Sequence, residues 1–71
     1  MKFLVQFSVH VPKTERKGLL QEIEDRYSTS YATRDDGIFE ITIIRKSNVD
    51  YIKSHLTDED NRGTLKFWVE E

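Results

Sequence analysis

The amino-acid sequence predicts an α+β domain, with a four-stranded antiparallel sheet and two helices in the order β-α-β-β-α-β. Three observations predict it. The chain opens on KFLVQFSVHV, residues 2 to 11, whose side chains alternate between a fully apolar set and a mixed one. Two later stretches carry apolar residues at the three-to-four spacing of an amphipathic helix: Leu19, Leu20, Ile23 and Tyr27, then Val49, Ile52 and Leu56. Between them, Asp36-Gly37 separates two strand-like runs, and a type I′ hairpin turn needs positive φ at both central residues, which favours this dipeptide.

The first strand is expected over residues 2 to 11, with Phe3, Val5, Phe7, Val9 and Val11 inward and Leu4, Gln6, Ser8 and His10 outward. Pro12 ends it, having no N–H for a ladder, and suits the first position of a helix running to Tyr27. Gly18 inside that helix either permits close approach to the sheet or is merely tolerated. With Asp36 and Gly37 as the hairpin loop, Asp35 falls opposite Ile38, Thr33 opposite Glu40 and Tyr31 opposite Thr42. Phe39, Ile41 and Ile43 are then inward, together with Ser30, Ala32 and Arg34 on the neighbouring strand. Ser47, with Asp50 three residues on, approximates a capping box for the second helix. That helix is expected to fade in TDEDNRG, where Gly63 reverses the chain. The last strand, TLKFWVE, turns Leu65, Phe67 and Val69 inward and Lys66, Trp68 and Glu70 outward.

Two β-α-β halves joined by a hairpin predict the ferredoxin-like plait. The expected strand order is 4-1-3-2, with right-handed crossovers and both helices on one face. The most apolar strands, the first and third, would be central. The opposite face is left open, and its mixed character makes it the candidate binding surface, with Gln6, Ser8, His10, Tyr31, Glu40, Thr42, Lys66 and Trp68 as its polar and aromatic residues. Trp and Tyr are enriched in interface cores, and a small domain gains by burying a second surface.

The 71 residues form a single domain, 1–71. The chain has no cysteine, so it has neither a disulfide nor a thiolate metal site, which suits a reducing cytoplasmic setting. No apolar run approaches the length of a membrane span, and the N-terminus lacks the pattern of a signal peptide, so no membrane partner is expected. The net charge of −2, with both signs interspersed, argues against non-specific nucleic-acid binding. Base readout would need aromatics on the outward central positions, where Leu4, Gln6, Ile38, Glu40 and Thr42 stand instead.

Catalytic signatures are weak. His10 has no carboxylate placed by spacing to orient its ring, and His55 borders the buried stripe of the second helix. DEDNRG, residues 58 to 63, resembles the start of a calcium loop, but Arg62 stands where a third oxygen ligand is needed and Val69 where the bidentate Glu would fall. No catalytic residue, metal site or cofactor is assigned.

The opening MKFLVQFSVHVP, followed by Glu15-Arg16, resembles the first strand and helix of muconolactone isomerase-like proteins. The resemblance covers about twelve to twenty residues. It implies the ferredoxin-like plait and pairing through sheet faces into a dimeric α+β barrel. The chain departs from that family in having TSYATRDDG where a Gly-then-Trp-Arg segment is expected, so isomerase chemistry is not carried over. The expected function is that of a small non-enzymatic interaction module, a homodimer joined through the open sheet face or an edge strand, with a further protein as the other class of partner. Its size suits a regulator, or an inhibitor encoded by a phage or mobile element. The alternatives are a small-molecule-binding protein or enzyme of the dimeric barrel type and, less well supported, a nucleic-acid binder resembling RNA-recognition domains.

Overall fold

Alternation along the first strand sets the core. The computed structural model describes residues 1–35 and 37–70, Asp35 by its backbone alone. Strand β1 (Lys2–Phe7) is followed by helix α1 (Lys13–Tyr27), strands β2 (Ser30–Asp35) and β3 (Ile38–Thr42), helix α2 (Val49–Asn61) and strand β4 (Leu65–Glu70). The sheet is antiparallel, and its order is β2-β3-β1-β4. Counted from the β4 edge, the same neighbours read 4-1-3-2.

Phe3, Val5 and Phe7 of β1, Ile41 of β3 and Leu65 of β4 form one buried cluster with Leu20 and Ile23 of α1 and Ile52 and Leu56 of α2. The helices therefore share a core with the odd-numbered side chains of β1, as the alternation predicts. Phe3 meets Phe67, and Phe7 meets Phe39, in edge-on ring contacts with centroids 6.0 and 5.7 Å apart. Nothing approaches the position that a Cβ on Gly18 would take, so that glycine serves no close packing.

The first strand stops short of the expected residue 11. Ser8 Oγ donates to the Gly63 carbonyl at 2.6 Å, and Val11 N–H turns back to the Ser8 carbonyl at 3.1 Å, closing a β-turn over residues 8–11. The Arg16 guanidinium donates to the carbonyls of Val11 and Ser8 and holds that turn against α1. Val9, expected in the core, is consequently 96% exposed, while Val11 returns to the core.

The hairpin differs by one residue. Asp35 pairs with Ile38 as expected, but Thr33 pairs with Phe39, Ala32 with Glu40, Tyr31 with Ile41 and Ser30 with Thr42. Arg34 is the extra residue of a β-bulge. Side chains alternate with a period of two, so one inserted residue inverts the whole strand upstream of it. Tyr31 and Thr33 thus move to the core side, where Tyr31 packs against the buried cluster, and Ser30 and Ala32 move to the opposite face. Gly37 has φ +81°, as a hairpin turn requires, whereas Asp36 lies outside the described residues.

Strand β3 ends at Thr42, so Ile44 leaves the sheet and is exposed. A short 3₁₀ turn, Lys46–Asn48, precedes α2, and no side-chain capping bond forms there. Asn48 instead donates its side-chain N–H to the Tyr27 carbonyl at 2.6 Å, tying the start of α2 to the end of α1. Helix α2 continues through the segment where it was expected to fade. Thr64 N–H reaches the Glu59 carbonyl and Gly63 N–H that of Asp60, a Schellman closure around Gly63 at φ +77°. Asp58 and Asp60 are therefore helical residues and not part of a metal-binding loop.

Candidate functional site

The face of the sheet turned from the helices is built by register. Gln6 lies between Ile38 and Lys66, Leu4 between Glu40 and Trp68, and Lys2 between Thr42 and Glu70. Five of the eight residues singled out from the sequence thus stand together there: Gln6, Glu40, Thr42, Lys66 and Trp68. The other three do not. Ser8 and His10 belong to the turn after β1, and Tyr31 lies on the core side because of the bulge.

Four charged residues organise this face, three of them absent from the sequence-based set. Lys2 Nζ lies 3.0 Å from Glu40 Oε1, and the Arg34 guanidinium donates to Glu70 Oε2 at 2.8 Å. The second pair has a notable geometry. Arg34 belongs to β2 and Glu70 to β4, the two opposite edges of the sheet. Glu70 shares its face with Lys2 and Leu4, so the pair crosses β3 and β1 on the helix-free side. The Arg34 hydrogen bond holds the Glu70 carboxyl below its ordinary value of 4.5; desolvation opposes it, and the positive charges of Arg34 and Lys2 add to the lowering. Leu4, outward in the alternation, is only 5% exposed between its neighbours Glu40 and Trp68. The face is therefore a strapped, charged surface, not an open apolar platform.

One signal for Arg34 was present in the sequence. Tyr31 is the only bulky apolar side chain of β2, and placing it inward demands an odd insertion before the Asp36-Gly37 turn. The cross-sheet pair itself depends on sheet geometry and has no local signature.

The two edges differ. The β2 edge is interrupted by its bulge, a common protection against further pairing. The β4 edge pairs with β1 without a shift over six consecutive residues and has no proline. On it Trp68 and Val69 are 40% and 42% exposed, on opposite faces of the sheet.

Elsewhere, a groove of about 420 Å³ runs between the helices and is lined by Glu22, Arg26, Tyr27, Tyr51, His55 and Asp58 among others. His55 meets Tyr27 edge-on with ring centroids 6.3 Å apart, as a half-buried boundary residue. Met1, Ile43, Ile44 and Val49 line a second, more apolar hollow of about 440 Å³ at the end of β3. Among the described residues no group of three or more His, Cys, Asp or Glu side chains is placed to hold a metal ion. No described helix is long and apolar enough to cross a membrane. No protein-family model, curated protein or solved structure matches the chain.

Proposed function

We propose that this chain is a small non-catalytic interaction module of the ferredoxin-like plait type, working as a homodimer joined along its β4 edge and the adjoining Trp68 side of the sheet. The observation that carries this reading is the contrast between the edges. The β2 edge is bulged, whereas β4 offers a regular strand with unpaired backbone groups and with Trp68 and Val69 exposed. A regular edge strand free of bulge and proline is a template for another strand. A chain of 71 residues also gains more than a large one from the area such pairing buries. A cytoplasmic site of action fits a chain without cysteine, and the size fits a regulator or an inhibitor.

The dimeric barrel implied by the resemblance to muconolactone isomerase-like proteins is supported less well. It needs two sheet faces to meet, and the Arg34–Glu70 pair crosses that face. Stacking of bases as in RNA-recognition domains finds no aromatic on the outward central positions, where Glu40 also opposes phosphate.

Sedimentation equilibrium tests the proposal. A mass twice 8.4 kDa is expected for the natural chain, falling to that of the monomer on Trp68→Ala with the far-ultraviolet circular dichroism unchanged. A natural chain that stays monomeric at every concentration rejects it.

A further inference from the structure

The β4 edge also specifies how a second copy would dock, an inference that rests on the reading just given. Ser8 N–H donates to the Thr64 carbonyl at 2.9 Å, and Ile43 N–H donates to that of Met1 at 3.2 Å. In an antiparallel ladder the bonded pairs recur every second residue. Even-numbered residues of β1 therefore bond to β4, through Lys66, Trp68 and Glu70. The N–H and C=O groups of Leu65, Phe67 and Val69 point to the open edge.

Two copies of one strand pairing antiparallel are related by a two-fold axis, so a single residue faces itself. Outward groups must meet outward groups, so odd residues face odd residues and the axis passes through one residue position. An axis through Lys66 sets like charges opposite each other, which is destabilising. An axis through Phe67 sets Lys66 against Trp68 of the second copy and carries Glu70 away from any cation of β4. An axis through Val69 sets Trp68 against Glu70 of the second copy and gives Lys66 no opposing carboxylate among the described residues. An axis through Trp68 sets Lys66 against Glu70 of the second copy twice over. It also sets Phe67 against Val69 twice on the helix side and the two Trp68 rings against each other on the far side.

We infer that two copies join antiparallel through β4 in the register that places Trp68 opposite Trp68, giving a continuous eight-stranded sheet with all four helices on one face. The two-fold axis stands perpendicular to the sheet, so both helix layers fall on the same side. Phe67 and Val69 supply the new ladder bonds, and Trp68 forms the non-bonded pair, where opposing side chains lie closest.

Single cysteines at positions 66 and 70, which leave Trp68 in place, test the register when the two chains are mixed, since the chain has none of its own. In this register position 66 has its Cβ about 4.5–5.5 Å from that of position 70 of the second copy, whereas it lies more than about 13 Å from its own symmetry mate. Under copper–phenanthroline oxidation a mixture of the Lys66→Cys and Glu70→Cys chains is expected to cross-link into the mixed dimer fastest, and Lys66→Cys with itself slowest. Lys66→Glu, an exposed change, is expected to raise the dimer dissociation constant at least tenfold, with recovery at high salt. A dimer in which the mixed cross-link is not the fastest, or that ignores Lys66→Glu, overturns this register while leaving self-association standing. A natural chain that remains monomeric overturns both.

Discussion

Thr29 offers the sharpest test of the packing. It follows the α1 terminus, where Ser28 adopts a left-handed conformation at φ +52°, and it is 5% exposed. Among the described residues its Oγ1 finds no hydrogen-bond partner. A buried hydroxyl left unsatisfied costs about 1–3 kcal/mol relative to one that keeps its water. Thr29→Val keeps the branched shape, so no cavity opens, and it substitutes a methyl whose burial is worth roughly 0.8 kcal/mol. Both effects have the same sign. At the low end the two sum to about 1.8 kcal/mol, which in a domain this small raises Tm by roughly 7–14 °C. The assay is urea unfolding followed by circular dichroism, with the m-value unchanged because the surface exposed on unfolding is the same. Loss of stability would refute the reasoning, since it would mean that the hydroxyl is bonded in the folded protein.

Phe7→Ala should cost about 3–5 kcal/mol. Phe7 is buried at the end of β1, meets Phe39 edge-on and has the Arg16 guanidinium 5.9 Å from its ring centre. Against a total stability of roughly 4–11 kcal/mol for a chain this long, that loss unfolds the variant at the low end of the range and leaves it folded at the high end, and a loss below about 1 kcal/mol would place Phe7 outside the core. Gly18→Ala should stabilise by about 0.5–1 kcal/mol in the same assay, because a Cβ there meets nothing; destabilisation would reveal an unseen constraint. Glu70, held below 4.5 in the folded chain, stabilises it fully above the unfolded value, and that contribution disappears as pH falls through the lowered folded value. The stability difference between the natural chain and Glu70→Gln should therefore be constant near neutral pH and shrink on acidification, and a difference that grew as pH fell would contradict the assignment.

The order of elements was legible because each rests on a period or a dipeptide: the alternation of β1, the Leu20–Ile23 and Ile52–Leu56 stripes, and Gly37 at its turn. Errors arose where a long-range bond overrode the period. Alternation continues through Val9 and Val11, but Ser8 is captured by the carbonyl of Gly63, 55 residues away, and the strand ends there. Gly63 ends α2 as its place in the sequence suggests, but the acids before it, loop-like by composition, stay helical because their backbone bonds are made within α2. On the outward face, five residues were found through β1, β3 and β4, whose registers follow from unbroken alternation. Tyr31 was misplaced because a bulge has no period.

The bulge at Arg34 links the shape of the sheet to the proposed site. The same extra residue roughens the β2 edge and supplies the guanidinium that crosses to Glu70 on the other edge. Deleting Arg34 would let Thr33 and Asp35 pair with Phe39 and Ile38 without interruption while keeping Tyr31 inward, so the core should survive. The deletion variant should then lose its edge protection and its strap together. Two observables separate these effects. The Glu70 carboxyl, followed by NMR titration, should move back up toward 4.5 once its hydrogen bond is gone. The new regular edge should promote association beyond the dimer, seen as growing mass in light scattering at raised concentration. A variant that keeps both its titration and its mass would show that the bulge serves neither purpose, and the contrast between a guarded β2 edge and an available β4 edge would lose its physical basis.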